Sequence, residues 1–105
     1  MMAHQYNCVL TLALPARLEE EVLDHLQAHP EWVSGFSIMP AEGFGTGMSL
    51  PTTMEQVRGR ARRRVITILM EEGNVDPLLA SLRADFHSPE MAYWVTPLIR
   101  FGRFV

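Results

Sequence analysis

Residues 39–64 read MPAEGFGTGMSLPTTMEQVRGRARRR, a glycine- and methionine-rich segment that ends in a block of arginines. The five arginines are Arg58, Arg60, Arg62, Arg63 and Arg64. The segment separates two halves of the chain, each with the pattern of a strand, a helix and a strand. We therefore predict a compact scaffold with one long arm, from about residue 40 to residue 56. An arm of this kind is typical of a segment that contacts a ligand, a partner protein or a second copy of the chain.

The half before the arm predicts a strand, a helix and a second strand. Residues 5–14 alternate between apolar and more polar positions, as a half-buried strand does. A helix then begins at Pro15, since the glutamates at 19–21 favour the positive end of a helix, and it ends at His29 and Pro30. The short apolar run at 32–39 predicts the second strand.

The half after the arm repeats this order. A third strand is predicted from about Val57 to Met70, and a helix with Asn74 as its N-cap follows. The last strand covers residues 91–105 and is interrupted by Pro97, which suggests an edge position or a bulge. The order βαββαβ predicts a single α+β domain over residues 1–105, with a ferredoxin-like antiparallel sheet and both helices on one face.

The third strand is apolar on both sides, which such a fold does not explain by itself. Val65, Thr67 and Leu69 share one side, and Ile66, Ile68 and Met70 share the other. Because the two helices cover only one face of the sheet, we predict that a second copy of the chain covers the other.

Composition excludes several classes of function. The chain has 105 residues and a net charge of −3, and all nine basic residues are arginine. Such scarce positive charge disfavours non-specific nucleic-acid binding. No apolar run approaches the roughly 20 residues of a membrane-spanning helix. The lone Cys8 and the lack of a leader sequence predict a cytoplasmic protein.

Two sets of residues are candidates for binding an anion. Gly43, Gly45 and Gly47 could present backbone N–H groups, and the arginine block could supply positive charge. The candidate arginines are Arg58, Arg60, Arg62 and Arg64, to which Arg100 and Arg103 near the chain end are added. The alternative is that the arginine block pairs with carboxylates such as Glu55, Glu71 and Glu72.

Metal binding and catalysis are two further functions that the sequence bears on. Glu21, His25 and His29 follow one another at helical spacing of four residues, so they could converge on one ion, although packed histidines are the alternative. The thioethers of Met39, Met48 and Met54 could suit Cu(I), but they could equally fill gaps at an interface. No nucleophile and base have a recognisable catalytic spacing, so the chain is predicted not to be an enzyme.

Several motifs resemble the PII-like signalling superfamily over nearly the whole chain. Gly35-Phe36-Ser37 lies in the second predicted strand, and residues 98–103 read LIRFGR. Gly43-Phe44-Gly45, Gln56 and the run 93–97, YWVTP, are similar to an uncharacterised proteobacterial branch that is associated with heavy-metal efflux. The resemblance implies a homotrimer that binds small effectors in clefts between subunits. It also implies that the arm, the T-loop of this family, docks onto a transporter or an enzyme.

The chain departs from the nucleotide-binding members at two positions. Their phosphate-gripping loop, of the Gly-Asp-Gly-Lys type, is replaced here by residues 86–90, FHSPE. Of their two arginines in the last strand, Arg100 matches the first, and Arg103 lies one place after the second. The hypothesis is therefore a PII-like regulatory protein with an unidentified effector, a nucleotide being one candidate. The alternative is a sensor or buffer of a transition metal.

Overall fold

The structure, a computed structural model, describes residues 5–44 and 61–105. The strands are β1 (Cys8–Pro15), β2 (Ser37–Gly43), β3 (Ala61–Met70) and β4 (Ala92–Pro97). The helices are α1 (Glu19–Gln27) and α2 (Val75–Asp85), preceded by short 3-10 turns at Ala16–Leu18 and Glu72–Asn74. This is the predicted order βαββαβ.

The four strands form one sheet in the order β2-β3-β1-β4, and every neighbouring pair is antiparallel. Leu12 of β1 lies opposite Ile66 of β3 and opposite Tyr93 of β4. The two central strands therefore come from different halves of the chain, which is the split arrangement of a ferredoxin-like fold. The predicted fold class is confirmed.

The core lies between the sheet and both helices, so both helices cover the same face. The alternation predicted for β1 is confirmed, because Leu10 and Leu14 are fully buried. They pack in one cluster with side chains from both helices and from β3, which include Val22, Leu26, Leu78, Leu82, Ile66, Ile68 and Met70. Within the described residues, no helix is long and apolar enough to cross a membrane.

The opposite face of the sheet, here called the open face, is only partly covered. Val65, Thr67 and Leu69 lie on it and are half-buried, whereas Ile66, Ile68 and Met70 of the same strand are buried in the core. Trp94, which lies opposite Thr11 of β1, is 47% exposed on this face. The prediction that β3 has apolar side chains on both faces is confirmed, and one set remains accessible.

The second strand starts later than predicted. Its apolar residues Trp32 and Val33 donate backbone hydrogen bonds to the carbonyl of His29, at 3.1 and 3.0 Å, so they belong to turns that close α1. Their side chains still pack on the core. The strand Ser37–Gly43 consequently includes residues 40–43, which were predicted as the start of the arm. Residues 45–56 of the arm lie outside the described residues.

The last strand is shorter than predicted. Pro97 lies opposite Cys8, the first residue of β1, so β4 has no partner beyond it. After Pro97 the backbone N–H of Leu98 donates to the carbonyl of Asn7 at 3.1 Å, and residues 98–105 are not in a strand. The predicted strand segment 98–105 is therefore wrong for this chain, and Pro97 marks an end on an edge strand instead of an interruption.

Candidate functional site

A groove of about 410 Å³ lies on the open face, between the start of β2 and the end of the chain. We call it the open-face groove. Tyr6 and Phe101 form one side, with ring centroids 4.9 Å apart in an edge-to-face contact. The Tyr6 hydroxyl shares a hydrogen bond of 2.6 Å with Ser34 Oγ. The full lining is Tyr6, Ser34, Gly35, Phe36, Ser37, Thr67, Leu69, Phe101 and Arg103.

The groove combines aromatic surface, hydroxyl groups and one positive charge. The guanidinium carbon of Arg103 lies 5.4 Å from the centroid of the Phe101 ring, which places the charge beside the apolar wall. A Cβ added at Gly35 would meet nothing within 4 Å, so the wall is open at that residue. Apolar walls with a few polar groups are typical of small-molecule sites. The groove suits a small, flat ligand that carries a negative group.

The predicted arginines are distributed over different parts of the structure. Arg103 lines the groove, but Arg100 is exposed and does not. Arg62 and Arg64 project toward the helix-covered face, where Arg64 Nε donates to Glu19 Oε1 of α1. The carboxylate partner of Arg64 is thus neither Glu71 nor Glu72. Of the remaining anion candidates, Gly43 pairs with Ala61 of β3 in the sheet. The others lie outside the described residues: Gly45, Gly47, Arg58 and Arg60. The same holds for Glu55, Met48 and Met54, which were named in other predictions.

A second pocket, of about 470 Å³, lies where α2 ends. It is lined by core leucines and by residues of the link that follows α2, namely Phe86, His87, Ser88, Pro89 and Met91. At its rim, Arg83 Nη2 donates to the Tyr93 hydroxyl at 3.0 Å. Sequence reasoning missed Arg83, because a single arginine on an exposed helix face carries no distinguishing spacing.

The two histidines of α1 form hydrogen bonds with α2. His25 Nδ1 donates to Asp85 at 2.9 Å, and Ser81 Oγ lies 2.8 Å from His25 Nε2 and 3.4 Å from His29 Nε2. Asp85 and Ser81 are 60 and 56 residues from His25 in the sequence, so spacing could not reveal them. The available signal was that Ser81 and Asp85 are four residues apart on one helix, because such residues share a face.

Ser81, His25 and Asp85 are hydrogen-bonded in the same sequence as a Ser-His-Asp catalytic triad, but they do not form a catalytic centre. Ser81 lies inside α2, where the backbone N–H groups are used by the helix and cannot stabilise an oxyanion. The His25 side chain is only 8% exposed. We interpret the contact as a link between the two helices.

The two predicted histidine ligands lie side by side, with ring centroids 4.8 Å apart, but Glu21 does not join them. Both nitrogens of His25 face α2, while His29 Nδ1 is paired with Glu31 at 3.2 Å, and Glu21 is exposed one turn earlier. Across residues 5–44 and 61–105, no group of three or more His, Cys, Asp and Glu side chains is placed to hold a metal ion. Met39 is 57% exposed on the open face.

Comparison with known proteins identifies relatives of the whole domain. Residues 4–105 match the family DUF3240, which is described as proteins of unknown function. A crystal structure of a DUF3240 family protein from Shewanella baltica has 20% sequence identity, a TM-score of 0.75, and coverage of 96% of this chain and 99% of that one. No curated protein matches the chain significantly.

A second relative is CPII, a nitrogen regulatory PII-like protein from Thiomonas intermedia. Its structure bound to ADP, AMP and bicarbonate has 21% identity, a TM-score of 0.70, and coverage of 98% of this chain and 100% of CPII. A structure of CPII bound to ADP, AMP and acetate has 22% identity, a TM-score of 0.67, and coverage of 97% and 94%. At this level of identity the likeness establishes the fold, which is PII-like.

Proposed function

Because the chain belongs to the DUF3240 family and has a PII-like fold, we propose that it is a regulatory protein that binds a small effector and docks onto a partner protein. The effector site is the open-face groove. The observation that carries the proposal is the combination in one groove of aromatic walls, Gly35 without a side chain, and the guanidinium of Arg103. A fold by itself does not specify a function, so the proposal depends on this groove.

An adenine nucleotide is the first effector to test. CPII, which shares the fold, is bound to ADP and AMP in its structures. In this chain the flat walls of Phe36 and Phe101 suit stacking of a base, and the hydroxyls of Ser37 and Thr67 suit a ribose. The link 86–90 contains neither glycine nor lysine, so contacts to phosphate would have to come from arginines. We expect weaker binding of ATP than of AMP for this reason.

The assembly in this proposal is a homotrimer. Its support is the open face, where Val65 is half-buried and Trp94 and Met39 are exposed. A closed cyclic assembly would remove these side chains from water and would bring a neighbouring subunit to the rim of the groove. An effector bound there could then be sensed by two subunits at once.

The partner in this proposal is a transporter, with a metal-efflux system as the specific candidate. The support is the resemblance of the motifs at residues 43–45 and 93–97 to a branch associated with such systems. The arm between β2 and β3 is the docking segment. Replacement of residues 45–56 by a short Gly-Ser linker should abolish recovery of the partner in a pull-down and leave the oligomeric state unchanged. Undiminished recovery of the partner would refute docking through the arm.

Calorimetric titration of the purified protein tests the effector proposal and its alternative together. The ligands are AMP, ADP, ATP, bicarbonate, Zn²⁺, Co²⁺ and Cu⁺. Saturable binding of a nucleotide supports the PII-like regulator, and saturable binding of a metal ion in the absence of nucleotide binding supports the metal sensor. Absence of nucleotide binding at millimolar concentration would overturn the effector proposal.

A further inference from the structure

Arg63 is a buried charge whose guanidinium has no hydrogen-bonded partner among the described residues. It lies on the open face of β3, between Pro15 of β1 and Ala41 of β2, and is only 8% exposed. Within residues 5–44 and 61–105, no oxygen accepts a hydrogen bond from its guanidinium, although its own carbonyl accepts one from Arg64 Nη1 at 3.1 Å. Proteins rarely bury a charge without an ion partner, because desolvation then has no compensation.

The charges that act on Arg63 leave this region positive. Arg17, in the turn after β1, forms a two-pronged ion pair with Glu90, and one of its bonds, from Nη1 to Oε2, measures 3.5 Å. Burial lowers the pKa of the Arg63 guanidinium below its ordinary value; Glu90 opposes this effect and Arg17 adds to it. Two guanidinium groups therefore share one carboxylate, and a single positive charge is unbalanced.

We propose that Arg63 and Arg17 bind a small oxyanion of the carboxylate type near the beginning of β3, the end of the strand that follows the arm. A planar monoanion matches the fork of a guanidinium and cancels the one unbalanced charge without displacing Glu90. A dianion would give the ligand and these three side chains a net negative charge. The Arg17 side chain is 47% exposed, so an ion from solvent can reach the pair.

This anion site is separate from the open-face groove. Thr67, the nearer of the two groove residues on β3, is four residues from Arg63, which is about 13 Å along a strand. The two sites share no residue, so this inference can fail while the groove binds its effector, and the reverse also holds.

Nuclear magnetic resonance of the arginine Nε–Hε groups tests the proposal on the unaltered protein. Sodium acetate replaces sodium chloride at constant ionic strength, up to about 100 mM, so that general screening stays fixed. We expect a saturable shift of the Arg63 and Arg17 resonances, with Arg83 as an internal control that does not shift. A linear drift without saturation, or saturation by inorganic phosphate or ADP but not by acetate or bicarbonate, would overturn the proposal.

Two substitutions sharpen the test. Arg63→Met removes the unpaired charge and should abolish the acetate-dependent rise in melting temperature, whereas Arg83→Met should retain it. Glu90→Gln removes the competing carboxylate, and we expect acetate to bind at least about fivefold more tightly. If Arg63→Met does not fold, the Glu90→Gln titration decides, and unchanged or weaker acetate affinity in that variant contradicts the proposal.

Discussion

The ion pair between Arg64 and Glu19 connects the arginine block to the start of the first helix. The side chains are 21% and 33% exposed, so solvent screens the pair less than it screens a fully exposed one. We expect Arg64→Met to lower the free energy of unfolding by about 1 kcal/mol, which is several degrees in melting temperature for a domain of this size. Urea denaturation measures the effect. Arg100→Met, at an exposed arginine, is the control and should change stability by less than half as much.

Cys8 makes stability depend on alkaline pH. Burial, followed by the charge of Glu72, raises the pKa of its thiol above the ordinary value of 9.0. The unfolded chain therefore loses this proton first as pH rises, so the contribution of the neutral thiol is complete below about pH 9 and is lost above it. We expect the free energy of unfolding to fall more steeply between about pH 8 and about pH 10 in the wild type than in Cys8→Ala. Parallel slopes would show that the thiol does not contribute.

At the scale of elements, the contact of Ser81 with His25 and His29 links the two helices. Ser81→Ala leaves buried ring nitrogens without a partner but improves helix propensity, so the single variant underestimates the link. A double-mutant cycle of Ser81→Ala and His25→Ala removes this complication. We expect a coupling free energy of about 1 kcal/mol from thermal or urea denaturation. A value within error of zero would mean that the hydrogen bond between Ser81 and His25 does not stabilise the contact between the two helices.

The sequence predicted elements well where periodicity and burial agree, and less well at their ends. Residues 8–14 alternate, and Leu10, Leu12 and Leu14 are buried as expected. The start of β2 was predicted too early in the run 32–39. Trp32 and Val33 are apolar because their side chains pack on the core, but their backbone belongs to turns. The final strand was extended too far, since its end depends on where β1 begins, and pairing partners cannot be read from one segment.

The candidate site was only partly predictable for a similar reason. Arg103 was identified, and it lines the groove. Tyr6 and Ser34 were not identified as groove residues, because they come together only when the start of β1 packs beside the turn before β2. The buried Arg63 was hidden in a block whose members look equivalent in sequence. Burial distinguishes them, and burial is a property of the folded chain.

At the scale of the whole molecule, the open face determines the proposed assembly. Trp94 is 47% exposed there, so a charge at this residue should be tolerated by the monomer but not by an interface. We expect Trp94→Asp to dissociate the oligomer and Ala80→Glu, on the solvent side of α2, to leave it intact. Sedimentation velocity distinguishes the species. A wild type that is monomeric at about 100 μM would contradict the assembly.

The most direct test of the effector proposal is calorimetric titration with AMP of the wild type, Gly35→Leu and Gly73→Leu. Both glycines have open space around the added Cβ, so both variants should fold, but only residue 35 lines the groove. We predict saturable binding to the wild type and to Gly73→Leu, with a loss of at least about tenfold in affinity for Gly35→Leu. Equal binding to all three proteins would contradict the groove as the effector site.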